Sequence, residues 1–352
     1  MRKNLSKLLS LCLMVILMLL AVAACGPAEG SEGSEGNGTD ATDTAAPTQT
    51  GPGVRTDGKA DQVGLILEGA ISDMSWNSDA HRGLEKIGAL GAEINYTENT
   101  GVSEAPDAIR AFAESGYNII FLSSSSFQDV TKESAKLYPE IMFFVINATA
   151  DEENVRSVQV QDFEQGFLMG ALSALLSETN TVGFVGGFQF EPMIKGGQAF
   201  TVGAEYVNPD CKTIVEFTGD NNDVRGAKEL AKAMVQQGAD CLGTMAGPAA
   251  LGVVEASEEE GVFSLPPGQN MNSVGPTSAV APVMKDTSIA YEAVYKMFKA
   301  GELPESGFII MGASKGVVYI GDFYIDIDPE VERQIKEIEA SLAAGDIVID
   351  LE

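Results

Sequence analysis

The 352-residue sequence predicts an α/β protein built as two lobes, each a doubly wound, mostly parallel sheet covered by helices. Three observations carry this expectation. Short runs that are apolar on both faces recur at residues 63–67, 94–96, 118–122, 141–146, 182–185, 213–217 and 241–245, as strands covered on both sides require. Between them fall helical patterns at 79–90, 104–114, 128–137, 163–177, 194–206, 224–237 and 249–259. Several are punctuated, with Asp129, Asp162 and Asp223 near starts and Gly91, Gly116, Gly238 and Gly261 at ends. The series then begins again near Val182, after an extra strand at 155–160 and a helix, and the length exceeds what one core usually serves.

Composition removes whole classes of function. With 51 acidic against 22 basic residues the formal charge is -29, which opposes the phosphate backbone that supplies most nucleic-acid affinity, so no nucleic-acid partner is expected. His81 is the only histidine, which excludes histidine-dependent triads and zinc sites and leaves carboxylate or lysine chemistry. Gly186-Gly187 is followed by no lysine-serine pair, so no phosphate-cradling motif and no cofactor is implied.

The amino terminus reads as an address. Arg2, Lys3 and Lys7 precede an apolar run over residues 8–24, the pattern of a signal peptide spanning 1–24. It ends in Val22-Ala23-Ala24-Cys25, which resembles the lipobox of bacterial lipoproteins, in which the cysteine is acylated and becomes the mature terminus; Cys25 is the expected lipidation site. Residues 25–60 are then a disordered tether rich in Gly, Thr and acidic residues, where only Val54 is an apolar residue larger than Ala. The expected location is the cell membrane, lipid-anchored on its extracytoplasmic face. The body is expected as a first lobe over 61–162, completed by about 280–330, and a second lobe over 163–279, with 331–352 as its candidate completion. Cys211 and Cys241 each open an expected strand with the strand at Val182 between them, about 10 Å apart and too far for a disulfide, so two free buried thiols are expected.

In open parallel sheets ligands bind beyond the carboxyl ends of the strands, and with two such lobes these loops would line a common cleft. The first loop, residues 68–77, carries Asp73, Asn77 and the sole tryptophan, Trp76: a carboxylate, an amide and an aromatic face beside a helix start, suited to stacking a planar ring and bonding its polar edge. The competing reading packs Trp76 on the lobe core and makes Asn77 a helix cap. Ser123 to Ser126 offer four hydroxyls for capping or ligand contact. Asp162, where the chain passes between lobes, is a helix cap or a ligand contact. Phe188 follows the glycine pair at the second lobe's first carboxyl end, Gly247 lies in the loop after the strand at 241–245, and Asn270 sits in an amide-rich stretch. Lys285, in an apolar segment, is a donor in the cleft or a surface charge paired with Asp286.

At these residues the sequence resembles the basic membrane protein family of lipoproteins, substrate-binding subunits of ABC importers for purine nucleosides. The resemblance rests on the lipobox, on Asp73-Met74-Ser75-Trp76-Asn77 followed by Gly83-Leu84, and on Phe163, Gly166-Phe167-Leu168 and Gly170. It rests further on Val182-Gly183-Phe184-Val185-Gly186-Gly187, on Asn208-Pro209-Asp210, and on the stretch from Phe217 to Asp223. It implies the two-lobed periplasmic-binding-protein type I fold with three chain crossings, a purine nucleoside-like ligand in the cleft, and an ABC permease as partner. It also implies roles: Asp73 and Asn77 on the base edge, Trp76 stacked on the base, Asp162 assisting, and Lys285 on the ribose hydroxyls. The family's ribose-binding Asp is replaced by amides around Asn270, so a free nucleobase or another small aromatic metabolite competes with a nucleoside. Two further readings remain open: an exported hydrolase acting on nucleosides or glycosides through Asp73 and Asp162, and a ligand-sensing lipoprotein.

Overall fold

The structure, a computed structural model, describes residues 50–351 except Met74, Ser75 and Gln269. The expected signal peptide, Cys25 and most of the expected tether lie outside the described residues.

The first lobe opens with β1 (Gln62–Ile66), α1 (Trp76–Ala89), β2 (Glu93–Thr97), α2 (Ala105–Glu114), β3 (Ile119–Leu122), α3 (Gln128–Leu137), β4 (Met142–Ile146), β5 (Asp151–Glu152) and β6 (Val155–Val160). β3 reads IIFL and β4 MFFVI, and every residue of both is buried, because helices cover both faces. Then come α4 (Asp162–Leu176), β7 (Thr181–Gly186), α5 (Glu191–Val207), β8 (Lys212–Phe217), α6 (Val224–Gln236), β9 (Cys241–Met245), α7 (Ala250–Glu260) and β10 (Phe263–Leu265). The last part holds β11 (Val283–Lys285), α8 (Thr287–Ala300), β12 (Ile309–Met311), β13 (Val318–Ile320) and α9 (Pro329–Ala344).

Two parallel sheets result. One runs β12-β6-β4-β3-β1-β2, with β5 antiparallel against β6, and the other runs β10-β9-β7-β8. β12 therefore returns to the first sheet although it follows the whole second one, while β11 and β13 form a separate antiparallel pair. α8 packs on α1, and α9 packs on α4. The second sheet places β7 between β8 and β9, which separates Cys211 from Cys241 by two strand spacings; both thiols are free and buried. Burial pushes the Cys241 thiol up to about 12, and burial raises Cys211 as well.

α4 is apolar nearly all round and buried over most of its length, as a helix packed on several sides must be. Its tightest partner is α5. A Cβ added at Gly170 would lie 1.9 Å from the Phe200 carbonyl oxygen, and one at Gly203 would lie 2.0 Å from the Phe167 carbonyl oxygen. The glycines of the motif around 166–170 thus let two helix backbones touch.

The expected tether ends sooner than its composition suggests. Gly53 donates to the Glu140 carbonyl (2.7 Å), its own carbonyl accepts from Asn118 Nδ2 (2.5 Å), and Val54 packs against the core. Gly53 adopts φ +75, and a Cβ there would stand 2.6 Å from Met142 Cβ. The glycine that looks like linker composition is the only residue that fits this docked strap. Among the described residues no helix is long and apolar enough to cross a membrane.

Candidate ligand site

The first half of the site forms where β1 and β3 end. Ser123 follows β3; its hydroxyl accepts from the Glu68 amide (3.3 Å), and its carbonyl accepts from Trp76 Nε1 (2.7 Å). That bond pins a half-buried indole whose body packs against the core, as the packing reading of Trp76 expects. Capping of α1 falls to Asp73 rather than Asn77. The Asp73 carboxylate accepts from the backbone amides of Asn77 (2.9 Å) and Ser78 (3.0 Å), satisfying donors that a helix start leaves orphaned. Asn77 links backward instead, donating from Nδ2 to Asp73 (2.8 Å) and accepting from the Gly69 amide (3.2 Å). Ser124 caps the short 3-10 turn that follows, accepting from Ser126 N (3.2 Å).

The second half lies where the chain crosses between the sheets. Gln161 is the N-cap of α4 and its side chain makes no capping bond, so Asp162 is the first residue of the helix and not its cap. It accepts instead from Lys285 Nζ at 2.5 Å, with the Asp162 side chain 11% and the Lys285 side chain 26% exposed. The same ammonium stands 5.6 Å from the centroid of the Trp76 ring, within cation–π range. Pairing with Asp286 does not occur: Asp286 takes Arg82 (2.7 Å) and the amide and hydroxyl of Ser288 (3.0 and 2.5 Å).

Sequence reasoning missed the bonds that hold this crossing together. Gln165 Nε2 donates to the Val283 carbonyl (2.6 Å), and the Gln161 amide donates to the Met311 carbonyl (2.9 Å). The Ala313 amide donates to Glu164 (2.5 Å). Burial pushes the Glu164 carboxyl above its ordinary range, and the Ala313 amide opposes that rise. One turn of α4 thereby grips both later passages of the chain. A glutamate and a glutamine inside the helix beside Asp162 were the available signal, since a helix this apolar keeps buried polar side chains only with partners.

At the second sheet Phe188 and Phe190 are 57% and 46% exposed. Phe188 N donates to Asn221 Oδ1 (2.8 Å), and Gly247, at φ +58, lies against the same asparagine. Asn270 is exposed, and its side-chain oxygen accepts from Asn272 N within its own loop (3.0 Å). Two residues earlier the loop is tied to β11, Gly268 N donating to the Val283 carbonyl (2.9 Å). The structure therefore joins Trp76, Lys285 and Asp162 in one cluster, Asp73 and Asn77 in a second, and Phe188 and Gly247 around Asn221 in a third. Asn270 makes its bond to Asn272 apart from all three.

The family model described as ABC transporter substrate-binding protein, PnrA-like, matches residues 60–347. The chain belongs to this family. Among PnrA-like relatives, a protein of Bacillus subtilis named transcriptional activator protein med is 26% identical over 283 residues, covering 80% of this chain and 88% of that one. A purine-binding protein of Brucella abortus is 24% identical over 290 residues, covering 81% and 82%. A solved ABC transporter solute-binding protein from Conexibacter woesei superposes with a TM-score of 0.69 at 18% identity over 83% of this chain and 99% of that one, which establishes the shared fold. The PnrA-like chain thus has the α/β periplasmic-binding-protein type I architecture expected from its sequence.

Proposed function

We propose that the protein is the lipid-anchored, extracytoplasmic receptor of an ABC importer, holding a purine nucleoside-like ligand between its lobes and delivering it to a permease. The carrying observation is the Trp76–Lys285–Asp162 cluster. An indole pinned by its own N–H presents a rigid stacking face, and a charged pair beside it can bond the ligand's polar atoms. The Brucella abortus relative named for purine binding supports the ligand class. The charge of -29 argues against carrying the activator name of another relative over to contact with DNA. The hydrolase reading has no support from geometry, because Asp73 caps a helix and Asp162 is paired with Lys285.

Thermal-shift titration of the chain from residue 50 onward with purine nucleosides and nucleobases tests this: a ligand should raise Tm by mass action. Trp76→Ala should weaken binding by about 1–3 kcal/mol, the usual worth of a base stacked on an aromatic ring. If no purine compound at millimolar concentration shifts the wild type, the ligand assignment is wrong.

A further inference from the structure

Asn221 has a place in the second sheet that no strand pairing supplies. The strand order is β10-β9-β7-β8, so β8 and β9 do not touch along their length; β7 lies between them. Asn221 stands in the loop beyond β8 and closes that gap over the end of β7. Its carbonyl accepts from Ala249 N (2.8 Å), at the start of α7 beyond β9, and its side-chain Oδ1 accepts from Phe188 N (2.8 Å), just beyond β7.

The loop that delivers Asn221 is braced from within. Thr218 Oγ1 donates to the Asp220 carbonyl (2.6 Å), and Asn222 N donates to Asp220 Oδ1 (2.8 Å). Beneath it Gly187 leaves the room the amide needs, since a Cβ at that position would lie 1.9 Å from Asn221 Oδ1. Phe188 is therefore the first side chain able to emerge after β7, and its peptide is held at both ends: the Gly187 carbonyl accepts from Gly219 N (3.2 Å) and the Phe188 amide donates to Asn221 Oδ1 (2.8 Å).

We propose that Asn221 is the positioning residue of the second lobe's half of the ligand site: it ties the loops after β7, β8 and β9 together and so fixes Phe188 against the ligand. This rests on the ligand site proposed above. The role needs only an acceptor atom of the right reach, so aspartate can fill it and alanine cannot.

Two measurements on the chain from residue 50 onward test this. The first, hydrogen exchange at the Phe188 amide without ligand, should be slow in the wild type, fast in Asn221→Ala and slow again in Asn221→Asp. Equal rates in all three overturn the proposal. The second is a double-mutant cycle using whichever purine compound binds the wild type. Loss of one neutral hydrogen bond should weaken binding about fivefold in Asn221→Ala, whereas in a Phe188→Ala background the same change should add less than about twofold. Equal penalties in both backgrounds overturn the proposal, because the asparagine would then act without Phe188. If the wild type binds no purine compound, the ligand reading fails and the exchange rates alone judge Asn221.

Discussion

The contact between α4 and α5 gives the sharpest structural prediction. In Gly170→Ala the new methyl would sit 1.9 Å from the Phe200 carbonyl oxygen and 3.0 Å from the Ala204 nitrogen. Ordinary non-bonded contact begins near 3.5 Å, so the helices must part by about 1.5 Å. The obstacle is backbone inside a helix, which cannot rotate away as a side chain would. Overpacking of this kind costs about 1–3 kcal/mol, and the upper end applies here; the better helix propensity of alanine returns about 1 kcal/mol. The net loss should be about 2 kcal/mol, which for a unit of this size lowers Tm by about 3 °C. Circular dichroism melts read this directly. Because α4 begins at Asp162, the same substitution should also weaken ligand binding. An unchanged or raised Tm would show that the two helices separate without cost, and would refute the argument that their close approach is what demands glycine.

Three further outcomes follow from other parts of the molecule. Burial raises Glu164, so the folded protein holds that proton more tightly than the unfolded chain; its contribution is complete in acid and is lost as pH rises through the raised folded value. Tm should therefore fall more steeply between pH 4 and pH 7 in the wild type than in Glu164→Gln, and parallel curves would contradict this assignment. Cys241, pushed up to about 12 by burial, should resist alkylation at pH 8 until the protein unfolds, as intact-mass measurement before and after denaturant would show. A chain starting at Asp61 should melt below one starting at residue 50, because it loses Val54 packing and leaves the Asn118 amide without the Gly53 carbonyl; coincident melts would mean that the strap adds nothing.

The parts of this fold legible in the sequence are those whose periodicity is unbroken over a whole element. The strands at 155–160 and 241–245 and the helix at 128–137 coincide with β6, β9 and α3. β11, β12 and β13 have three residues each, too few for alternation to register, and only their partners identify them. α8 lies outside the expected elements even though its signals are present, with Asp286 accepting from Ser288 N at its start and Gly301 left-handed at its end. In the site, residue types carried the expectation further than capping rules did. Asp162 was open between cap and ligand contact and is an ion-pair partner of Lys285, while Asp73, expected on the ligand, caps α1, because which carboxylate reaches the orphan amides depends on backbone geometry that spacing alone leaves open. The stretch from Phe217 to Asp223 stood out as a motif, but the bond from Phe188 to Asn221 did not, because it arises from loops meeting over β7, a relation between distant stretches of sequence.

The docked strap at Gly53 has a practical meaning. It meets the first lobe through Asn118 and Glu140, residues that precede β3 and β4, and so at the amino ends of those strands. Trp76 and Ser123 sit at the opposite, carboxyl ends. The described chain therefore begins at the pole opposite the loops that carry Trp76 and Ser123. If the proposed ligand site is correct, attachment through residue 50 acts on the end of the sheet remote from it.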